Sequence, residues 1–178
     1  MGEKKYLIVV DMQKDFIDGS LGTPEAQAIV PGVAAYIRAR KAAGYTVIAT
    51  LDTHEENYLD TAEGKKLPVR HCIRGTAGWA LNPEIRGALE DSRLLEKPTF
   101  GSVRLPEIIK EETDSDDRLT IELLGLCTDI CVVSNTLLLK AHFPEADVRV
   151  KADLCAGVTP EKHRAALETM ASCQIDLI

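Results

Sequence analysis

Apolar positions along the chain alternate between two rhythms. The first is the uninterrupted run: Tyr6-Leu7-Ile8-Val9-Val10, Tyr45-Thr46-Val47-Ile48-Ala49-Thr50-Leu51 and Leu119-Thr120-Ile121-Glu122-Leu123-Leu124. Runs of this length without a solvent-facing alternation belong to strands buried on both faces, as in a parallel sheet. Arg93-Leu94-Leu95-Glu96-Lys97, Ala146-Asp147-Val148-Arg149-Val150 and Ile175-Asp176-Leu177-Ile178 are shorter and predict three further strands. Between them lies the second rhythm, the helical one. Ala28, Ile29, Val33 and Ile37 define a helix ending near Gly44, after a loop marked by Gly19, Gly22 and Pro24. Asn82-Pro83-Glu84-Ile85 predicts a short helix, 105–112 another, and Val132, Val133, Thr136, Leu137 and Leu139 a third reaching Ala141. Ala165, Ala166, Leu167 and Met170 share the face of a last helix, for which Pro160 is a fitting first residue. Strands alternating with helices predict one three-layer (α/β/α), Rossmann-like α/β domain over 1–178 with a six-stranded parallel sheet.

Composition narrows the class. At 178 residues, with 45% apolar and 28% charged residues, the chain can bury a substantial core. The net charge of −7, without any basic stripe, argues against a nucleic-acid partner. No apolar run approaches the ~18 residues a membrane helix needs. The polar Met1-Gly2-Glu3-Lys4-Lys5 runs straight into a strand-length apolar run, too short for a signal peptide. Five cysteines, an odd number without framework spacing, point to a reducing cytoplasm.

Candidate chemistry collects just after the strands. Asp11 follows the first run, at the edge where open α/β sheets bind ligands; the competing reading is a turn or cap residue. Asp52-Thr53-His54 follows the second, and residues two apart on an extended segment can serve one ion. His71, and Glu63 in the long polar loop between, extend that set toward zinc, iron or manganese rather than magnesium or calcium, against the reading of two surface histidines. Lys97 ends the third run, where most lysines are only solvated charges. Cys131 lies at the start of the helix after the fourth strand, where the helix dipole would lower its thiol pKa and first-turn N–H groups could hold an oxyanion. It suits a nucleophile better than Cys127 in the turn before it, although most free cysteines are buried apolar side chains. Cys155 and Cys173 read as structural, and Gly75-Thr76-Ala77-Gly78-Trp79 lacks the spacing of a phosphate-binding loop.

In a parallel sheet these strand ends share one edge, so a carboxylate, an ammonium, a thiol and a metal site could line one crevice. That set suits acyl transfer through a thioester: the carboxylate takes the thiol proton, the ammonium stays paired with the anions, and backbone donors hold the oxyanion.

From Tyr6 to the C-terminus the chain resembles the isochorismatase-like cysteine hydrolases, and among them the nicotinamidases. The likeness rests on the ordered motifs Leu7-Ile8-Val9-Val10-Asp11-Met12-Gln13-Lys14-Asp15-Phe16, Asp52-Thr53-His54, His71-Cys72-Ile73-Arg74-Gly75-Thr76, Lys97-Pro98 and Gly125-Leu126-Cys127-Thr128-Asp129-Ile130-Cys131-Val132. It implies a catalytic triad of Asp11 (general base), Lys97 and Cys131 (nucleophile). It further implies an oxyanion hole from the N–H groups of Cys127 and Cys131, with a cis peptide between Leu126 and Cys127. The corresponding metal site is Asp52, His54 and His71, with Glu63 placed as a fourth ligand. One divalent ion is implied, zinc ahead of iron or manganese, anchoring a pyridine nitrogen. The expected substrate is nicotinamide or a related small amide, and the expected assembly a homodimer or tetramer. The chain departs from the pattern at Pro68, where nicotinamidases usually carry an aromatic; Phe16, Phe100 or Trp79 would then supply the ring contact. Another small amide or ureide is the alternative substrate, and a non-catalytic scaffold or a redox role for Cys127 and Cys131 are the weaker readings.

Overall fold

The computed structural model describes residues 2–178. Six parallel strands form one sheet: β1 (Glu3–Val10), β2 (Thr46–Asp52), β3 (Arg93–Lys97), β4 (Arg118–Leu126), β5 (Asp147–Ala156) and β6 (Asp176–Leu177). Their spatial order is β3-β2-β1-β4-β5-β6. The chain builds outward from β1 through β2 to β3, returns to place β4 on the other side of β1, and continues to β6. The ends of β1 and β4 therefore flank the point where strand order reverses, which is where open α/β sheets keep their crevice.

Helices cover both faces. One layer holds α1 (Lys14–Ile17), α2 (Pro24–Ala42) and α4 (Pro83–Ala88). The other holds α5 (Arg104–Glu111), α6 (Val133–His142) and α7 (Pro160–Ser172). A short helix, α3 (Ala62–Lys66), lies in the connection after β2. The core follows from the apolar runs: residues 6–10 of β1 and 119–126 of β4 are buried throughout, among them Leu7, Ile8, Leu123 and Leu124. Glu122 is the charged exception, with its charge answered by Arg40, Tyr36 and Tyr45 at 2.7–2.9 Å.

Several boundaries differ from the sequence expectation. α2 starts at Pro24 rather than near Ala28, because Thr23 Oγ1 accepts from Ala26 N (3.0 Å) and Pro24 is a fitting first helical residue. The polar stretch after β2 is not merely a loop: Tyr58–Asp60 forms a 3₁₀ turn, and Thr61 Oγ1 accepts from Gly64 N (3.0 Å) to start α3. β5 runs on to Ala156, well past the run Ala146–Val150 that marks it in the sequence. Its pairing with β4 jumps from Leu123↔Val150 to Gly125↔Cys155, so the extra residues on β5 form a bulge within the strand. No helix among the described residues is long and apolar enough to cross a membrane.

Candidate active site

The chain turns as soon as β1 ends. Asp11 adopts φ 49°, a left-handed conformation that aspartate tolerates better than most residues. Its N–H donates to Thr50 O (3.1 Å) and its Oδ1 accepts from Thr50 Oγ1 (2.7 Å), so β2 holds both backbone and side chain. Asp11 Oδ2 lies 2.7 Å from Lys97 Nζ, with both side chains wholly buried. Lys97 ends β3, two strands away, so roughly 9–10 Å must be bridged across the end of β2. The long lysine stem spans that gap. Its Nζ also donates to Thr99 O (3.1 Å) and to Cys131 Sγ (3.4 Å), and lies 3.7 Å from Asp52 Oδ1.

Cys131 arrives from β4 through a tightly specified turn. Gly125 has φ 121°, and a Cβ there would stand 2.2 Å from Val10 O, so β1 and β4 meet in a backbone contact that admits only glycine. The Leu126–Cys127 peptide is cis. A π-helical turn, Thr128–Val132, follows, in which Cys127 O accepts from both Ile130 N and Val132 N at 3.1 Å. Cys131 thus sits in that turn, just before α6 rather than in its first turn. Asn135, wholly buried in α6, donates to Cys131 O (2.8 Å) and Phe100 O (3.2 Å) and accepts from Ser102 N (2.9 Å). It ties the turn that carries Cys131 to the segment after Lys97.

The electrostatics revise one sequence expectation. The thiol of Cys131 is not depressed by a helix end. Burial first, and the Asp11 carboxylate second, push it well above its ordinary value, against the pull of Lys97. Burial likewise raises Asp11, with Lys97 opposing and Asp52 adding to the rise. Lys97 is raised despite burial, because Asp11, Cys131 and Asp52 surround it. The resting arrangement is therefore a neutral thiol beside an aspartate–lysine ion pair.

Beside Asp11, Lys97 and Cys131, the residues Asp52, His54 and His71 form a buried cluster. Asp52 Oδ2 is 3.0 Å from His54 Nε2 and 3.5 Å from His71 Nε2. Glu63 Oε1, carried on α3, is 3.6 and 3.7 Å from the same two nitrogens. A tetrahedral ion with bonds of about 2.0–2.1 Å has donors about 3.3 Å apart, so Asp52, His54 and His71 fit such an ion, with Glu63 beside the two histidines. His71 Nδ1 meets Val69 O at 2.8 Å, which turns Nε2 toward the cluster. The histidines meet because His54 N donates to Cys72 O (2.9 Å) and Arg74 N to His54 O (2.8 Å). Burial works against the charge on Asp52, but hydrogen bonds from His54 and His71 and the charge of Lys97 hold its carboxyl well below the usual range. Asp52 turns one oxygen to the histidines and the other to Lys97, joining the two halves of the site.

A cavity of about 250 Å³ opens onto both halves. That is just below the usual ~300–1,000 Å³ of small-molecule sites, which suits a compact ligand of about one ring. Thr23, Asp52, Glu63, His71, Cys127, Cys131 and Lys162 supply its polar groups; Phe16, Leu21, Leu67, Phe100, Ile130 and Val158 form its apolar wall. Phe16 and Phe100 line the cavity as the sequence suggested. Pro68 does not; its neighbour Leu67 does. Trp79 does not line it either, its indole N–H donating to Thr53 Oγ1 (2.9 Å). The sequence reading passed over Thr50, Gln13, Asn135 and Tyr58. Gln13 clamps Asp52, donating to its O and accepting from its N at 2.8 Å each. Tyr58 packs against His54 and His71, ring centroids 4.7 and 5.0 Å apart. Only Thr50 had left a signal, since it shares a strand face with Asp52.

Comparison with known proteins agrees with this geometry. The Isochorismatase domain family matches residues 5–178. The nicotinamidase/pyrazinamidase of Mycobacterium tuberculosis is 26% identical over 188 residues, covering 98% of each chain. The crystal structure of the pyrazinamidase of Pyrococcus horikoshii in complex with zinc is 30% identical, with a TM-score of 0.82 over 98% of each chain. The nicotinamidase/pyrazinamidase of Bacillus subtilis, 24% identical, shares the fold at a TM-score of 0.84 over 98% of each chain. A family match over nearly the whole length, on a sheet whose strand ends carry this site, makes the chain a member of the isochorismatase family and a hydrolase of amides.

Proposed function

We propose that the chain hydrolyses nicotinamide, or a closely related pyridine carboxamide, to the carboxylic acid and ammonia through a thioester on Cys131. The observation that carries this reading is that Cys131, backed by Lys97 and Asp11, lines the same one-ring cavity as Asp52, His71 and Glu63. Asp11 takes the proton of the Cys131 thiol as the sulfur attacks the amide carbon. The N–H groups of Cys127 and Cys131 hold the oxyanion that forms. Asp11 then returns its proton to the departing nitrogen, which leaves as ammonia. Asp11 next takes a proton from water, which attacks the thioester carbon; the carbon–sulfur bond breaks, the acid leaves and the thiol is restored. Lys97 keeps Asp11 paired and oriented through both halves. Asp52, His54, His71 and Glu63 would hold one divalent ion, zinc ahead of iron or manganese. Bound there, such an ion would supply Lewis acidity toward a ring nitrogen of the substrate. Phe16 and Phe100 pack on the ring. The same reading includes a cytoplasmic homodimer or tetramer, for which five unpaired cysteines support the reducing compartment.

The purified protein should release ammonia from nicotinamide, and Cys131→Ala should lower the rate by at least about a thousandfold without moving the unfolding midpoint. Retention of activity in that variant would overturn the mechanism. One observation favours a second substrate: Leu67, an aliphatic residue, forms the wall beside His71, and no aromatic does so from that loop. A panel of small amides and ureides with turnover elsewhere and none on nicotinamide would select it.

A further inference from the structure

The turn that carries Cys131 is held from outside the cavity. Thr128, its first residue, is wholly buried, and its Oγ1 is hydrogen-bonded to His163 Nδ1 of α7 at 2.8 Å. The next residue, Asp129, accepts from Val158 N (2.9 Å) in the loop before α7. Gly157 makes this approach possible: a Cβ there would stand 2.8 Å from His163 N and 2.9 Å from Asp129 Oδ1. The segment 157–163 therefore grips the turn at two successive residues.

His163 does not face the substrate. It lines a separate hollow of about 290 Å³ with Glu25, Ile29, Cys155 and Arg164, whereas its neighbours Val158 and Lys162 line the substrate cavity. We propose that His163 is a positioning residue for the hydrolysis: through Thr128 it sets the turn that presents the Cys131 sulfur and the adjoining N–H groups to the substrate carbonyl. Burial and the Arg164 charge lower the pKa of His163, with Asp129 opposing, which keeps the ring neutral and able to exchange a hydrogen bond with a hydroxyl. Because neither Thr128 nor His163 lines the cavity, loss of their contact should spare binding and slow chemistry.

This inference rests on Cys131 as nucleophile, and the test separates it from the choice of substrate. Steady-state kinetics on nicotinamide and the rate of Cys131 alkylation by iodoacetamide would be measured for His163→Leu, His163→Asn, Thr128→Val and Thr128→Ser. His163→Leu and Thr128→Val should each lower kcat about tenfold with KM within about twofold. His163→Asn and Thr128→Ser, which keep a hydrogen-bonding partner, should stay within about threefold of the parent. The combined His163→Leu/Thr128→Val variant should be no slower than either alone. Losses that multiply in the combined variant, a rise in KM with kcat intact, or kcat within about twofold of the parent in both single-loss variants would overturn the proposal. Should nicotinamide not be turned over, the same ranking is required of the alkylation rates, and equal rates across the series would overturn it. The Thr128 pair decides the matter alone if His163→Leu does not fold.

Discussion

At the scale of single residues, the site is governed by three charges that have been taken out of water together. Asp11, Lys97 and Asp52 are each almost fully buried, and the ion pair at 2.7 Å is what lets Asp11 remain there as an anion. Lys97→Met removes the partner and leaves a buried carboxylate, which should cost about 3–5 kcal/mol in urea unfolding at neutral pH. The deficit should shrink on acidification as Asp11 takes up a proton, and Lys97→Met/Asp11→Asn should recover most of it. A deficit independent of pH would mean that packing, not charge, holds the pair. The same burial has a kinetic consequence. A base works only when deprotonated, and a raised pKa moves its titration upward; the acid limb of kcat/KM for ammonia release should therefore lie above the ordinary aspartate value of about 4, with activity lost as pH falls through it. A limb at or below that value would remove Asp11 from the role. Each of these residues was legible because a polar side chain appears abruptly after an apolar run. Gln13 and Asn135 were not, because an amide in a turn or a helix carries no mark of its partner.

At the scale of elements, short pieces place the chemistry more than the long ones do. α3 carries Glu63 to the two histidines, and it packs so closely on the preceding turn that a Cβ on Gly64 would stand 2.0 Å from Tyr58 O. Gly64→Ala must push α3 outward and take Glu63 with it. We expect zinc affinity to fall about 10–100-fold, read by competition with a chelating dye, with the secondary-structure signal unchanged. Affinity within a factor of two or so of the parent would mean that Glu63 is not a ligand. The sequence showed this region only as polar, since a five-residue helix is below the length at which apolar spacing can be read. The bulge in β5 was hidden for the related reason that Lys151, Ala152 and Asp153 resemble a loop until the β4 register shows what they interrupt.

For the molecule as a whole, the donor cluster joins segments that follow β2 with the end of β2 itself, so an ion there should brace the fold. Zinc at about a hundred times its Kd adds about 2.7 kcal/mol to the native state, roughly 5–10 °C in the unfolding midpoint for a chain of this size. His54→Ala should abolish that increment, and a chelator should reverse it in the parent. An equal zinc shift in the variant would place the ion elsewhere. The sheet order sets the site's location more broadly: Asp11 and Cys131 come from β1 and β4, which are distant in sequence and adjacent only because the chain reverses direction across the sheet.

By itself the sequence determined the class of fold, the strands and which edge of the sheet bears chemistry. Uninterrupted apolar runs can only be buried on both faces, and parallel strands bring their carboxyl ends to one side. Tertiary structure alone decided the rest. It fixed which strand lies beside which, that Lys97 reaches across β2 to Asp11, that Leu67 rather than Pro68 faces the cavity, and that burial raises the Cys131 thiol instead of a helix end lowering it. Those outcomes depend on distances between segments remote in the chain and on the water excluded when they meet, and neither quantity exists before the chain is folded.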